Sequence, residues 1–343
     1  MRAYHLESHG SVDGLVLRES ADPKPGPGEV AVRIRATSLN FRDLMILKNV
    51  YFQPVTPGVI PLSDGAGEVV ATGEGVSRFK VGDRVAATFH PKWIAGRITH
   101  EHLVNRFAPR EHVGAGRDGL LTDYKILSEE ALVAIPSHLS FEEAATLPCA
   151  AVTAWSALTA PRQLAPGETV LTLGTGGVSI FALQLAKAFG ARVIATTSSD
   201  DKASRLRELG ADAVVNYRTT PEWEREVRAA NEGRGVDCIV EVGGAGTLAR
   251  SLACAGPECQ VALIGVVAEA STPFDPTALQ RGIITLRRIT VGSRLDFELM
   301  NSAIAHHRLK PVVDRVFPFE DARSAYRYLE SRQHFGKVVI SHG

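Results

Sequence analysis

Cysteine is scarce in this chain of 343 residues: there are four, at Cys149, Cys238, Cys254 and Cys259, and no pair forms a CxxC. Such spacing argues against a zinc ribbon or a disulfide scaffold and suits small reduced residues in an apolar interior. An excess of either charge is also lacking. Lys+Arg and Asp+Glu number 38 each, so nothing in the balance points to nucleic acid or to an anionic membrane surface. No apolar run reaches the roughly 20 residues of a membrane span. The first ten residues contain no signal-peptide h-region, so a cytoplasmic protein is expected. Internal repeats and low-complexity tracts are absent. What is present is a hydrophobic content of 45%, enough for sizeable cores, in a length that suggests two domains.

One stretch carries more information than the rest. An apolar, β-branched run, Thr169 to Leu173, leads into a glycine cluster, Gly174-Thr175-Gly176-Gly177-Val178. Apolar residues at helical spacing follow: Ile180, Leu183, Leu185, Ala186 and Phe189. Strand, glycine turn and helix in that order form the phosphate-binding corner of a dinucleotide fold. Gly174 permits the sharp turn, Gly176 admits a pyrophosphate close to the backbone, and the helix start offers free N–H groups and a positive dipole end. The third small position is Ser179, which predicts slightly looser helix–strand packing. Further strands are expected from Ala191, Ala213, Val236, Gln260 and Ile289, with a helix from Asp200 that ends at Gly210. The alternation is that of a doubly wound α/β sheet.

Residues before about 125 read differently. Short β-like bursts separated by glycine and proline give an antiparallel, barrel-like pattern. After Ser293 the parallel rhythm stops, and the ending from Val312 reads as strand, capped helix and strand. The expected organisation is a discontinuous domain of residues 1–125 completed by 295–343, with a Rossmann domain at 126–294.

Seven motifs follow one another in a family order: Pro25-GPGEV, Gly65-AGEVVATGEGV, Phe79-KVGDRV, Glu143-AATLPCAAVTAWSAL, the glycine corner, Leu209-GADAVVNYR and Phe335-GKVVI. On them the chain resembles the medium-chain dehydrogenase/reductase superfamily over essentially its whole length. It is more similar to the zinc-independent, quinone oxidoreductase-like branch than to zinc alcohol dehydrogenases. The resemblance implies a GroES-like β-barrel catalytic domain, a Rossmann domain, a cleft between them, hydride transfer and a homodimer. Zinc members carry ligands at positions that match Asn40, Ser63 and Cys149, so only one ligand survives. A catalytic zinc needs about three protein ligands and an open position, and no metal is expected here. A cluster of His100, His102 and His112 is conceivable, but their loop reads as a solvated face.

NADP(H) is the expected cofactor. The second strand ends near Thr197 without the acid that grips ribose hydroxyls in NAD-specific folds. Ser198, Ser199 and Lys202 could serve a 2′-phosphate instead, and the resemblance adds Tyr217. Ser198 to Lys202 also reads as an ordinary N-cap with first-turn acids. Val242, Gly243, Ile264, Gly265 and Val266 are expected to line the nicotinamide side. Phe335, Gly336 and Lys337 are expected to reach the pyrophosphate.

Without a metal, charge on the acceptor oxygen must be met by hydrogen-bond donors or be delocalised by the substrate. This favours a quinone or an α,β-unsaturated carbonyl over a simple alcohol. Asn40 is the leading polar candidate for the acceptor, Thr153 for holding the nicotinamide, and Ser63 a weaker donor. Asp43 is expected to pair with Arg42 or cap the local helix. Tyr51, Phe52, His90 and Trp93 are candidates for a pocket wall under a cover drawn from residues 89–107. Two alternatives stand beside this reading: a zinc-free, alcohol dehydrogenase-like carbonyl reductase, and a low-turnover NADPH-binding redox sensor. The apolar stretch from Arg288 to Ser293 is expected to be an edge strand able to pair with a second copy.

Overall fold

The computed structural model describes residues 1–52, 55–99, 102, 113–265 and 276–343. They divide into two compact units, 1–152 with 292–343, and 153–291.

The first unit begins with β1 (Arg2–Leu6), β2 (Leu15–Glu19), β3 (Glu29–Ser38), β4 (Asp64–Thr72), β5 (Arg84–Ala87), β6 (Tyr124–Ser128) and β7 (Leu132–Ala134). The second unit supplies β8 (Thr169–Leu173), β9 (Arg192–Thr197), β10 (Ala213–Asn216), β11 (Val236–Glu241), β12 (Ala255–Leu263) and β13 (Thr285–Arg288). The chain then returns to the first unit with β14 (Val313–Pro318) and β15 (Lys337–Ser341).

In the first unit the sheet order is β14-β15-β3-β4-β5-β7, and β6 pairs with β3 off that path. Val30, Val32 and Ile34 on β3 bury against Val69, Val85, Ala87, Leu120 and Leu132. A second core gathers under the helix Ala322–Glu330, whose Tyr326 and Leu329 pack with Leu15, Leu47 and Ile340. Asp321 stands at that helix's N-cap without a side-chain cap bond. The sequence puts the change of unit at 125/126. Residues 126–152 cluster instead with the first unit, because β6 pairs along β3 and β7 pairs with β5.

The second unit is built on one parallel sheet of order β10-β9-β8-β11-β12-β13. The chain steps outward from β8 to β10, then restarts on the other side at β11, so the switch point lies between β8 and β11. Ligands of open α/β sheets bind beyond the carboxyl ends of the strands at such a point. Every residue of β8 is buried, as a strand covered on both faces requires and as its run of Thr, Val and Leu allows. The sixth strand is Thr285–Arg288, ahead of the apolar stretch from Ile289. Ile289 and Val291 turn into the interior instead, and Val291 takes a φ of 59°. β13 pairs only with β12 among the described residues.

Candidate nucleotide corner and buried polar cluster

In the second unit, the ends of β8 and β11 lie side by side, with Thr172 registered against Val240. Just beyond β8, Gly174 has a φ of 71°, a conformation that costs a residue with a Cβ about 1–2 kcal/mol. Its N–H donates to Thr196 Oγ1 at 3.3 Å, which pins the turn to β9. Gly176 is different. Its φ is −78°, and a Cβ built on it would meet no atom within 4 Å. Nothing in the fold demands glycine there; open space on that side suits a group that is not part of the chain. Gly176 is the N-cap of the helix Gly177–Ala188 and offers no side-chain cap, so first-turn N–H groups remain for an anion. Ser179 is buried and donates to Leu173 O at 2.6 Å. It staples helix to strand, which replaces the looser packing expected from the sequence.

Beyond β11 the loop Val242–Gly246 is wound around one carboxylate. Glu241 is fully buried; its Oε1 accepts from Gly243 N at 2.8 Å, Gly244 N at 2.9 Å and Thr247 Oγ1 at 2.6 Å. Its Oε2 accepts from Ser251 Oγ. The sequence pointed to the glycines and missed the acid that shapes them; a lone Glu at a strand end carries no local signal. Ile264 N donates to Glu241 O at 2.9 Å. Gly265 is demanded by the fold itself, since a Cβ there would lie 1.8 Å from Val242 O. Val266 lies outside the described residues.

At the end of β9, Thr196 and Thr197 are buried and Ser198 and Ser199 are half-buried. Ser199 Oγ accepts from Lys202 N at 3.2 Å and caps the helix Asp200–Glu208. Asp200, the acid nearest this strand end, accepts from Asn216 Nδ2 at 2.8 Å. Tyr217 is exposed, and its N–H reaches Thr197 O at 2.9 Å. Thr153 is buried in the helix Val152–Thr159 of the second unit.

The first unit holds a separate, buried polar cluster. Asn40 precedes the helix Phe41–Leu47, and its N–H donates to Asp43 Oδ2 at 2.7 Å. Asp43 Oδ1 stands 3.6 Å from Arg42 NH1. Asp43 therefore both pairs and caps, the two roles expected of it. Burial pushes its carboxyl up to about 6, with Arg42 pulling the other way. Arg42 lies over the rings of Tyr51 and Phe89, 5.1 and 5.0 Å from their centroids, and donates to Val113 O at 3.1 Å. His90 and Trp93 are buried, with ring centroids 5.8 Å apart, whereas Phe52 is exposed. Residues 100, 101 and 103–107 of the expected cover lie outside the described residues, as do His100 and His112 of the conceivable histidine cluster.

Ser63 is fully buried; its Oγ donates to Asp64 Oδ1 at 2.8 Å. Asp64 Oδ2 accepts from Cys149 N at 3.1 Å. Burial raises the Asp64 carboxyl, against Lys337, Asn40 and Ser63. The Cys149 thiol is pushed up by burial first and by Asp64 second, so the sulfur is held as a thiol. Lys337, on β15, is buried; its Nζ donates to Leu39 O at 2.6 Å and to Asn40 Oδ1 at 2.7 Å. Lys337 was expected at a pyrophosphate; its ammonium instead bonds to Leu39 and Asn40 within the first unit. Phe335 is buried with it, and the glycine at 336 answers to Val312 O, 2.4 Å from where its Cβ would lie. Pairing of β15 with β14 brings these residues together across distant sequence.

The cluster contains the three positions that the resemblance matches to zinc ligands, Asn40, Ser63 and Cys149. Among the described residues no group of three or more His, Cys, Asp or Glu side chains is disposed to hold a metal ion. Asn40 Oδ1 already takes an ammonium, Ser63 is bound to Asp64, and one thiol remains.

Comparison with known proteins agrees with this organisation. The alcohol dehydrogenase GroES-like domain family matches residues 26–137, and the zinc-binding dehydrogenase family matches residues 177–306. A zinc-type alcohol dehydrogenase-like protein of Schizosaccharomyces pombe is 43% identical over 323 residues, covering 92% of each chain. A quinone oxidoreductase of Pseudomonas aeruginosa is 31% identical, covering 97% of each. A crystal structure described as an NAD-dependent alcohol dehydrogenase superimposes with a TM-score of 0.89 at 35% identity, over 100% of both chains. A GroES-like unit joined to a dehydrogenase nucleotide unit is thus the class of protein. The chain belongs to the medium-chain dehydrogenase/reductase superfamily of oxidoreductases. Among the described residues no helix is long and apolar enough to cross a membrane.

Proposed function

We propose that this protein is an NADPH-dependent reductase that delivers a hydride to a quinone or an α,β-unsaturated carbonyl without zinc. The observation that carries this reading is the ammonium of Lys337 on Asn40, beside a Ser63 tied to Asp64, where a metal centre would need three free ligands. With no Lewis acid, the acceptor must spread incoming charge through its own conjugation, and a few oriented donors suffice for an enolate oxygen.

A bound nicotinamide supplies the hydride. Residues around Gly174–Val178 are suited to its pyrophosphate, with the open side of Gly176 as support. Val242, Gly243, Ile264 and Gly265 stand at the neighbouring strand ends, on the crevice side of the sheet. Thr153 is proposed to hold the nicotinamide. Asn40 is proposed to donate to the acceptor oxygen. For the choice of NADPH, support comes from the hydroxyls at Ser198 and Ser199 and from the engagement of Asp200 with Asn216. Tyr217 stands exposed beside them for the adenine end. The solved relative described as NAD-dependent points to NADH instead, so both nucleotides are titrated. An isologous dimer through β13, which pairs only with β12 among the described residues, is the proposed assembly, to be read by sedimentation.

The zinc-type and alcohol dehydrogenase names of two relatives favour a second reading, reduction of a simple carbonyl. A panel of quinones, enones, aldehydes and ketones with either reduced nucleotide separates the two. Turnover with conjugated acceptors and NADPH supports the proposal. Turnover confined to simple aldehydes or ketones overturns it, and tight nucleotide binding with no turnover would indicate a sensor.

A further inference from the structure

Lys337 is a buried cation with no catalytic task in the proposed reaction. An asparagine amide has two ends of nearly equal shape and opposite hydrogen-bonding sense. An ammonium has three donors and no acceptor. The end of Asn40 that faces Lys337 Nζ, 2.7 Å away, is therefore the oxygen, and the NH₂ faces the other way. The second donor of Lys337 goes to Leu39 O at 2.6 Å, the carbonyl of the adjoining residue, so the ammonium grips the backbone and the side chain of one turn. The backbone N–H of Asn40 is held in addition by Asp43 Oδ2 at 2.7 Å.

The other end of the amide makes no hydrogen bond of ordinary geometry. Asn40 Nδ2 is buried and has no hydrogen-bond partner. Within the chain the amide acts on the Asp64 carboxyl as a side-chain donor that lowers it, but it stands outside ordinary hydrogen-bond geometry, so Asp64 competes with an acceptor for this N–H. A buried donor left without an acceptor costs about 1–3 kcal/mol. Such a group is met by an ordered water, an ion or a ligand, or marks a catalytic role.

We infer that Lys337 is a positioning residue, which by holding Asn40 Oδ1 fixes and polarises the amide so that Nδ2 is presented to the carbonyl oxygen of the acceptor. The inference rests on the proposed role of Asn40 and deepens it. A cation on the oxygen of an amide draws density from its nitrogen and strengthens the N–H donor, as hydrogen bonds in chains polarise one another. A preoriented, polarised donor meets charge where it develops without reorganising. The chain thus supplies from its own C-terminal strand part of the polarisation that a metal gives in zinc relatives, passed on through an amide. The substrate class that follows is an acceptor with an accessible carbonyl oxygen, an enone or a quinone; an isolated alkene offers nothing for the amide to hold.

The test uses the full chain and the substitutions Lys337→Met, Lys337→Arg, Asn40→Ala and the double variant Lys337→Met/Asn40→Ala. Melting temperature, NADPH affinity by fluorescence titration, and kcat and KM with one enone are measured for each. Lys337→Met is expected to lower kcat at least tenfold while NADPH affinity stays within twofold. Lys337→Arg, which can also only donate, is expected to restore kcat to within about threefold of the wild type. In the Asn40→Ala background the Lys337→Met change is expected to add less than a further twofold loss. Multiplicative losses in the double variant, or a loss wholly in NADPH affinity, would overturn the inference. The second result would return Lys337 to the pyrophosphate. One readout does not depend on turnover: the side-chain NH₂ resonances of Asn40, assigned by their loss in Asn40→Ala. They are expected to shift in Lys337→Met and to stay near the wild-type position in Lys337→Arg. If they do not move in Lys337→Met, the inference fails whether or not the protein reduces anything. Wild-type protein that turns over no acceptor, with resonances that do move, sinks the proposed function and leaves the positioning of the amide standing.

Discussion

Replacing Gly176 by alanine separates what the fold needs from what a bound nucleotide needs. The backbone at Gly176 has φ −78° and ψ 173°, extended values open to any residue, and the added Cβ meets nothing within 4 Å. Two small effects on stability oppose each other. Loss of unfolded-state freedom favours alanine by about 0.4–1 kcal/mol. Alanine is a poorer N-cap than glycine by roughly 0.5–1 kcal/mol. The nucleotide-free protein should therefore melt within about 2 °C of the wild type, given a few degrees per kcal/mol at this size. Binding should not escape. A methyl group forced into a close contact costs about 1–3 kcal/mol, which is roughly a 5- to 150-fold rise in Kd. Gly174→Ala provides the contrast. At φ 71° the substitution should cost about 1–2 kcal/mol with or without nucleotide. Differential scanning fluorimetry without ligand and fluorescence titration with NADPH and NADH read both quantities. If Gly176→Ala binds nucleotide as the wild type does, the corner after β8 is not the pyrophosphate site. If it loses as much unliganded stability as Gly174→Ala, the reasoning from open space is wrong.

Two further outcomes follow from the buried carboxylates. Glu241→Gln puts an amide NH₂ where one carboxylate oxygen accepted, so at least one of Gly243 N, Gly244 N, Thr247 Oγ1 and Ser251 Oγ loses its partner. Urea unfolding should show a loss of about 1–3 kcal/mol, together with weaker nucleotide binding; unchanged stability would mean that Glu241 does not organise the loop. Asp43 is raised by burial to about 6, so between roughly pH 4 and 6 the folded chain holds a proton that the unfolded chain has lost. Its contribution to stability then falls as pH rises across that window. A pH series of melting temperatures should show this slope flattened in Asp43→Asn, and an unchanged slope would refute the assignment.

The strand–glycine turn–helix corner was legible because it is local. The strand Thr169–Leu173, the turn at Gly174 and the helix that follows are contiguous, and each obeys a short-range rule. What the sequence hid is held by distance. β13 carries Arg287 and Arg288 and, among the described residues, pairs on one side only, so the more apolar stretch after it looked like the strand; the structure uses that stretch to turn inward. Residues 126–152 belong with the first unit through pairings with β3 and β5, which no window of sequence contains. Lys337 is separated from Asn40 by nearly the whole chain, and the pairing of β15 with β3, which ends two residues before Asn40, brings them together. The glycine at 336 looked like a ligand contact and answers to Val312 O instead. Asn40 and Ser63 were found by their match to zinc ligands, yet their present partners, an ammonium and a carboxylate, were not foreseeable from that match.

Hydride transfer without a metal is read in the turnover of chelator-treated protein. The purified chain, dialysed against a strong chelator and shown by elemental analysis to be free of zinc, is assayed for NADPH oxidation with a conjugated enone. Full activity is expected, and added zinc does not raise it. Stoichiometric zinc in the active protein, with activity lost on its removal and regained on its return, would contradict hydride transfer without a metal.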